Sequence, residues 1–181
     1  MPYIKLTEEL PGIAALLKDY PTTAKPLLEL AQVLLRGEST LSEGERELIA
    51  AYVSGKNKCQ YCQYTHGATA KHLLDVDYDF IDRVKNDEAD DELSPKMNSL
   101  LNIAGKVQIN GQEVSQSDIS DARKHGVTDK ELHDTVLIAA TFCLFNRYVD
   151  GLSTTTPKDD SVYDHRGAIL AEKGYGWQTD V

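Results

Sequence analysis

The chain has 181 residues, 41% hydrophobic and 27% charged, which suits one globular domain over 1–181, large enough to bury about 70% of its unfolded surface without metal or disulfide staples. A net charge of -10 with no cluster of Lys and Arg argues against a nucleic-acid partner, and no run of about 18 uncharged apolar residues is present to cross a membrane. The amino terminus, MPYIKLTEELPG, has no basic region followed by an apolar core, and Cys59, Cys62 and Cys143 form no regular disulfide framework, so a soluble cytoplasmic protein is expected.

Helical periodicity dominates from end to end. A short helix is expected from Pro11-Gly12 up to Asp19, and Pro21 with Thr22 opens a second, whose apolar stripe of Leu27, Leu28, Leu30, Ala31, Leu34 and Leu35 ends at Gly37. Ser42 and Glu45 have capping-box spacing ahead of "ERELIAAYVSG", and Gly55 offers a left-handed stop. Asn57 is then the expected cap of the next helix, with Cys59 in its first turn and the pattern running through Ala68, Leu73 and Leu74.

From Asp75 to Glu92 the chain is acidic and reads as a solvated face, with a short helix around Phe80, Ile81 and Val84. Ser94-Pro95 starts a helix carrying Met97, Leu100, Leu101, Ile103, Ala104 and Val107, and "VQINGQEV" reads as a connection rather than a stable hairpin. Asp118 to His125 is a short helix closed by Gly126. Thr128 and Glu131 then cap a long one, whose apolar run Val136 to Phe145 predicts burial on most sides. A last helix, roughly Asp160 to Glu172, ends at Gly174, and Trp177 in the tail is expected to dock on its own core or a neighbour. The expectation is an all-α domain of about seven or eight helices, with CxxC at the start of a central one.

The stretch "CQYCQYTHG" carries the chemistry. Residues three and four apart share a helix face, so Cys59, Cys62 and His66 form one stripe. A free thiol is mostly protonated at neutral pH, and two features can ionise one here. The helix start favours Cys59, while the spacing to His66 as proton acceptor favours Cys62. A histidine so used works better when a carboxylate holds it. Glu43 and Glu45 are explained by the helix start, whereas Glu47, beside Leu48 and Ile49, needs another reason.

A zinc site would need His72 as its fourth ligand, but His72 lies about 120° round the helix from His66 and cannot close a tetrahedron. A thioredoxin-like motif would need a βαβ context that the chain lacks. A dithiol redox pair fits. Cys143 is expected in the core, His125 as a helix-end cation, His72, His133 and His165 in surface or packing roles, and Asn146, Arg147 and Asp150 chiefly in structural ones.

The segment "LSEGERELIAAYVSGKNKCQYCQYTHGATAKHL" resembles the alkylhydroperoxidase AhpD core of the carboxymuconolactone decarboxylase superfamily, in which a helix-borne Glu precedes CxxC and then His. "PLLELAQVLLRG" and "FCLFNRYVDGL" extend the likeness to the subgroup called uncharacterised peroxidase-related enzymes. The resemblance implies an all-α homo-oligomer, a trimer or hexamer. It implies a thiol-dependent peroxidase that reduces small hydroperoxides with an unidentified thiol reductant and no cofactor or metal. Cys62 would attack the peroxide, Cys59 resolve it as a disulfide, His66 act as base and Glu47 orient it. Some members have His before the second cysteine where this chain has Tyr61, which would weaken the relay, and the decarboxylase branch lacks the cysteine pair. The alternative is a redox-sensing or thiol–disulfide exchange module without peroxide turnover.

Overall fold

The structure, a computed structural model, describes residues 1–176. Among the described residues are nine α-helices and no strand: α1 (Ile13–Asp19), α2 (Pro21–Arg36), α3 (Glu43–Lys56), α4 (Gln60–Leu74), α5 (Tyr78–Lys85), α6 (Pro95–Ile109), α7 (Gln116–Lys124), α8 (Asp129–Gly151) and α9 (Asp160–Lys173). The all-α expectation holds, with more helices than the seven or eight expected. A 3-10 turn at Gly111–Glu113 follows α6, so "VQINGQEV" is a helix end and a turn.

The helix starts follow the side-chain chemistry of their caps. Ser42 Oγ accepts from the Glu45 backbone at 3.2 Å while Glu45 accepts from the Ser42 backbone at 2.7 Å, and Thr128 and Glu131 repeat the arrangement at α8. Each such cap is worth about 1 kcal/mol. A third box, Ser115 with Asp118, starts α7 earlier than the expected Asp118.

The helix α3 is the hub, packing against α4, α5, α6, α8 and α2, and it is buried from Arg46 through Ser54. Its partner α4 lies between α3 and α9. The α4–α9 approach is close because Gly167 has no side chain. A Cβ there would lie 2.6 Å from Ala68 Cβ and 2.9 Å from the Thr69 backbone nitrogen.

Two local readings are corrected. Gly55 does not stop α3. It lies inside the helix, and Asn57 is the C-cap of α3 rather than the N-cap of α4; Lys58, at φ 59°, makes the left-handed step, and Cys59 itself is the N-cap of α4. Side chains from other helices decide this boundary. Asn57 donates to Asn146 Oδ1 at 2.8 Å and accepts from Gln108 at 2.8 Å, while Asn146 donates to Ser54 Oγ at 3.0 Å. Asn146 is structural, as expected.

The second correction concerns α8, which is not buried on most sides. Val136, Leu137 and Leu144 are exposed along one face, while Ile138, Phe142 and Phe145 point into the core. Cys143 lies between the two faces, half-buried, with its sulfur 3.5 Å from Asn57 Nδ2. His125 caps the end of α7, as expected. Trp177 lies outside the described residues. No helix among the described residues is long and apolar enough to cross a membrane.

Candidate active site

The turn between α3 and α4 delivers both cysteines. The Cys59 backbone N–H donates to Ser54 O at 3.0 Å, and its carbonyl accepts from Gln63 at 3.0 Å, fixing Cys59 at the point where α4 begins. Cys62 follows one turn later, and both thiols are free and buried. They are not equivalent. A small apolar cavity of about 50 Å³ is lined by Cys62, Thr65 and His66 from α4, Tyr61 beside them, and side chains of α1, α2, α8 and α9. Cys59 is not among its lining residues.

Cys59 is pushed well above the ordinary thiol range, first by hydrogen bonding with the Cys62 side chain and then by burial. The helix-start argument for a thiolate at Cys59 is therefore overridden. The Cys62 backbone N–H, a donor of that helix start, does lower the thiol, but hydrogen bonding with the Cys62 side chain and burial outweigh it.

Glu47 is fully buried and holds three groups together. His66 Nδ1 lies 2.7 Å from Glu47 Oε2, while Arg36 Nη2 and the Tyr175 hydroxyl donate to Oε1 at 2.7 and 2.8 Å. The Tyr175 oxygen is also 3.2 Å from His66 Nδ1. Burial alone would raise the Glu47 carboxyl, but the His66 ring, Arg36 and the Tyr175 hydroxyl outweigh it and hold it below the usual carboxylate range. Glu47 is thus an anion matched by the Arg36 cation, a buried pair in which both carboxylate oxygens have donors while Arg36 Nε has only an ion pair with Glu43 at 3.4 Å. Burial and the Glu47 charge push the Tyr175 phenol well above its usual range, so it stays a donor.

With Nδ1 engaged by Glu47, the other ring nitrogen of His66 is the one left for chemistry. The ring is held edge-on against Phe142, centroids 4.5 Å apart. Of the residues expected to act together, Glu47 and His66 are joined and Cys62 lines the same cavity as His66, while Cys59 does not. No direct hydrogen bond joins His66 to Cys62, and the two share only the wall of the cavity. A proton passing between them travels through whatever fills that space.

Tyr61 is a cavity wall. Its ring packs tilted on Tyr163, 6.1 Å between centroids, and burial raises its phenol. Gly12 makes room for it: at φ 55°, a Cβ would come 2.1 Å from the Tyr61 ring. Thr65 is 4% exposed, and its hydroxyl makes no hydrogen bond of ordinary length, although it lies near enough to Tyr61 to offset a little of the effect of burial there.

His72, the fourth member of the zinc reading, turns to Asp164 Oδ1 at 3.1 Å, away from the thiols. His133 pairs with Asp134. The residues missed from sequence are Arg36 and Tyr175. Arg36 reads as an ordinary cation in the last turn of α2, and Tyr175 reaches the site from 128 residues away in sequence. Its only local sign is its position between Gly174 and Gly176. There Gln32 Oε1 accepts the Tyr175 and Gly176 backbone N–H groups at 2.6 and 3.0 Å and pins the segment to α2.

Residues 21–74, which run from α2 through α4, match the model of the carboxymuconolactone decarboxylase family. No curated protein is significantly similar to the chain. Among solved structures, the chain is similar to an uncharacterized peroxidase-related protein from Silicibacter sp. TM1040, with 27% identity over 84% of this chain and 80% of that one and a TM-score of 0.75. It is also similar to an alkylhydroperoxidase AhpD core, an uncharacterized peroxidase-related protein from Ralstonia eutropha JMP134. That match has 26% identity over 87% and 81% of the two chains and a TM-score of 0.77.

Proposed function

The chain belongs to the AhpD-like carboxymuconolactone decarboxylase superfamily, and from that premise we propose that it is a thiol-dependent peroxidase reducing small hydroperoxides through a Cys59–Cys62 dithiol/disulfide cycle. The observation that carries the reading is that Cys62, and not Cys59, shares a small apolar cavity with a histidine held by a buried carboxylate. A volume of about 50 Å³ accommodates the –OOH group of a hydroperoxide, given that one water needs about 10–15 Å³ on the same measure.

In this scheme a hydroperoxide in the cavity bridges Cys62 and His66. His66 takes the thiol proton, and Glu47, already matched by Arg36, stabilises the charged ring. The Cys62 thiolate attacks the terminal peroxide oxygen, the O–O bond breaks, and the alcohol leaves with the proton that His66 returns. Cys62 is then a sulfenic acid, and Cys59 condenses with it to a disulfide, releasing water. A thiol reductant returns both to thiols. The raised Cys59 suits the resolving role, since it stays protonated while Cys62 attacks the peroxide and gives up its proton only as it condenses with the sulfenic acid.

Steady-state hydroperoxide consumption with a supplied dithiol tests this. Many turnovers per chain are expected, and His66→Ala should slow them by about 10²–10⁴-fold, the usual range for a general base. Consumption that stops after one equivalent would make the chain a sensor instead. The same reading proposes a cytoplasmic homo-oligomer, trimeric or hexameric, using the exposed α8 face of Val136, Leu137 and Leu144. A monomeric mass by light scattering would refute that part.

A further inference from the structure

Two threonines one turn apart on α4 are both buried, and they differ in one respect. The Thr69 hydroxyl donates to the Thr65 carbonyl at 2.8 Å, the back-bond by which a helix satisfies such a group. Thr65 makes no such bond, and its hydroxyl, 4% exposed, makes no hydrogen bond of ordinary length among the described residues, with the Tyr61 phenol a near polar neighbour. It lines the cavity with Cys62 and His66, and positions 62, 65 and 66 fall on one helix face. A buried hydroxyl left without a hydrogen bond of ordinary length is expected to be satisfied by whatever occupies the space it faces.

We propose that Thr65 is a catalytic residue of the hydroperoxide reaction, donating its O–H to the peroxide oxygen that departs as the alcohol. The inference rests on the peroxidase reading above. When the Cys62 sulfur forms its bond to the terminal oxygen and the O–O bond breaks, the electron pair goes to the RO oxygen. Sulfur is oxidised by two electrons and the peroxide is reduced. Negative charge therefore grows on RO before the proton on His66 reaches it. A fixed donor aimed at that oxygen, in an apolar cavity, stabilises the transition state more than the bound hydroperoxide. His66 supplies the proton, and Thr65 supplies only the hydrogen bond.

The test is the rate at which one equivalent of cumene hydroperoxide converts Cys62 to sulfenic acid, followed by trapping and mass spectrometry in a Cys59→Ser background. Thr65→Val, which keeps shape and removes the donor, should slow oxidation by about 10²-fold, the loss usual for one oxyanion donor. Thr65→Ser should restore most of the rate, and Thr69→Val should leave it unchanged. Alkylation of Cys62 by iodoacetamide develops no charge on oxygen and should keep its rate in all three variants. Equal oxidation rates in Thr65→Val and its parent overturn the assignment alone. A parallel loss of alkylation also overturns it, because Thr65 would then act on the thiolate. Equal slowing by Thr69→Val overturns it as a packing effect. A parent that cumene hydroperoxide does not oxidise at Cys62 overturns the peroxidase reading and Thr65 with it.

Discussion

Glu47 and Glu131 are both buried carboxylates, at 0% and 1% exposure, and both accept charged donors. They are held in different ways. Glu131 belongs to the start of its own helix. It accepts from the Thr128 backbone N–H at 2.8 Å as half of a capping box, from Thr40 Oγ1 at 2.8 Å, and from Lys96. Glu47 stands in mid-helix, where no backbone donor is free, and takes its partners from α2, α4 and the segment after α9. One of those partners, His66, reaches a cavity with a thiol in its wall, whereas Glu131 is not among the residues lining that cavity. A buried carboxylate that no cap explains, and that several elements converge to hold, marks a site.

The largest effect that can break the comparison is Glu47→Gln. It leaves the buried Arg36 guanidinium with only the more exposed Glu43, 3.4 Å from its Nε, as a charge partner, and it should cost about 3–5 kcal/mol in chemical denaturation as well as slowing hydroperoxide turnover. Retention of both stability and turnover would make Glu47 no different from a surface residue. Tyr175→Phe removes one donor to the same carboxylate and should cost about 1.5–3 kcal/mol by the same measurement, with a drop in turnover that a purely structural residue would not show.

Glu131→Gln should cost less, about 1–2 kcal/mol, because Lys96 at 34% exposure can be solvated when its partner is lost. Turnover per folded molecule should not change, and a fall in it would erase the contrast with Glu47. The smallest effect is in pH. Burial raises the Glu131 carboxyl, but Lys96 and the Thr128 and Thr40 donors bring it down from an ordinary 4.5 to about 2. A depressed carboxyl contributes stability above its unfolded value and loses it as pH falls through the folded one. Melting temperatures of the wild type should therefore decline between pH 4.5 and pH 2 more steeply than those of Glu131→Gln.

The same contrast separates what sequence shows from what it hides. Ser42 with Glu45, Thr128 with Glu131, and Ser94-Pro95 are local devices, and each helix start they predict is present. The end of α3 was misplaced because Asn57, Asn146, Gln108 and Ser54 decide it across three helices, and no window of sequence contains that network. The run Val136 to Phe145 reads as buried on most sides because composition does not say which side of a helix lacks a neighbour. In the site, Glu47 could be singled out because its helix gave it no local purpose, and Cys59, Cys62 and His66 because their spacing is one helical stripe. Arg36 and Tyr175 could not, since their meaning comes entirely from Glu47. Thr65 looks like Thr69 until the back-bond is seen at one and not at the other.

The claim that Cys62 attacks and Cys59 resolves is tested most directly by trapping the first oxidised species. With one equivalent of hydroperoxide, Cys59→Ser should accumulate a sulfenic acid on Cys62, and Cys62→Ser should accumulate none on Cys59. Sulfenic acid on Cys59 in Cys62→Ser, formed as fast as the wild-type disulfide, would contradict the account and reverse the two roles.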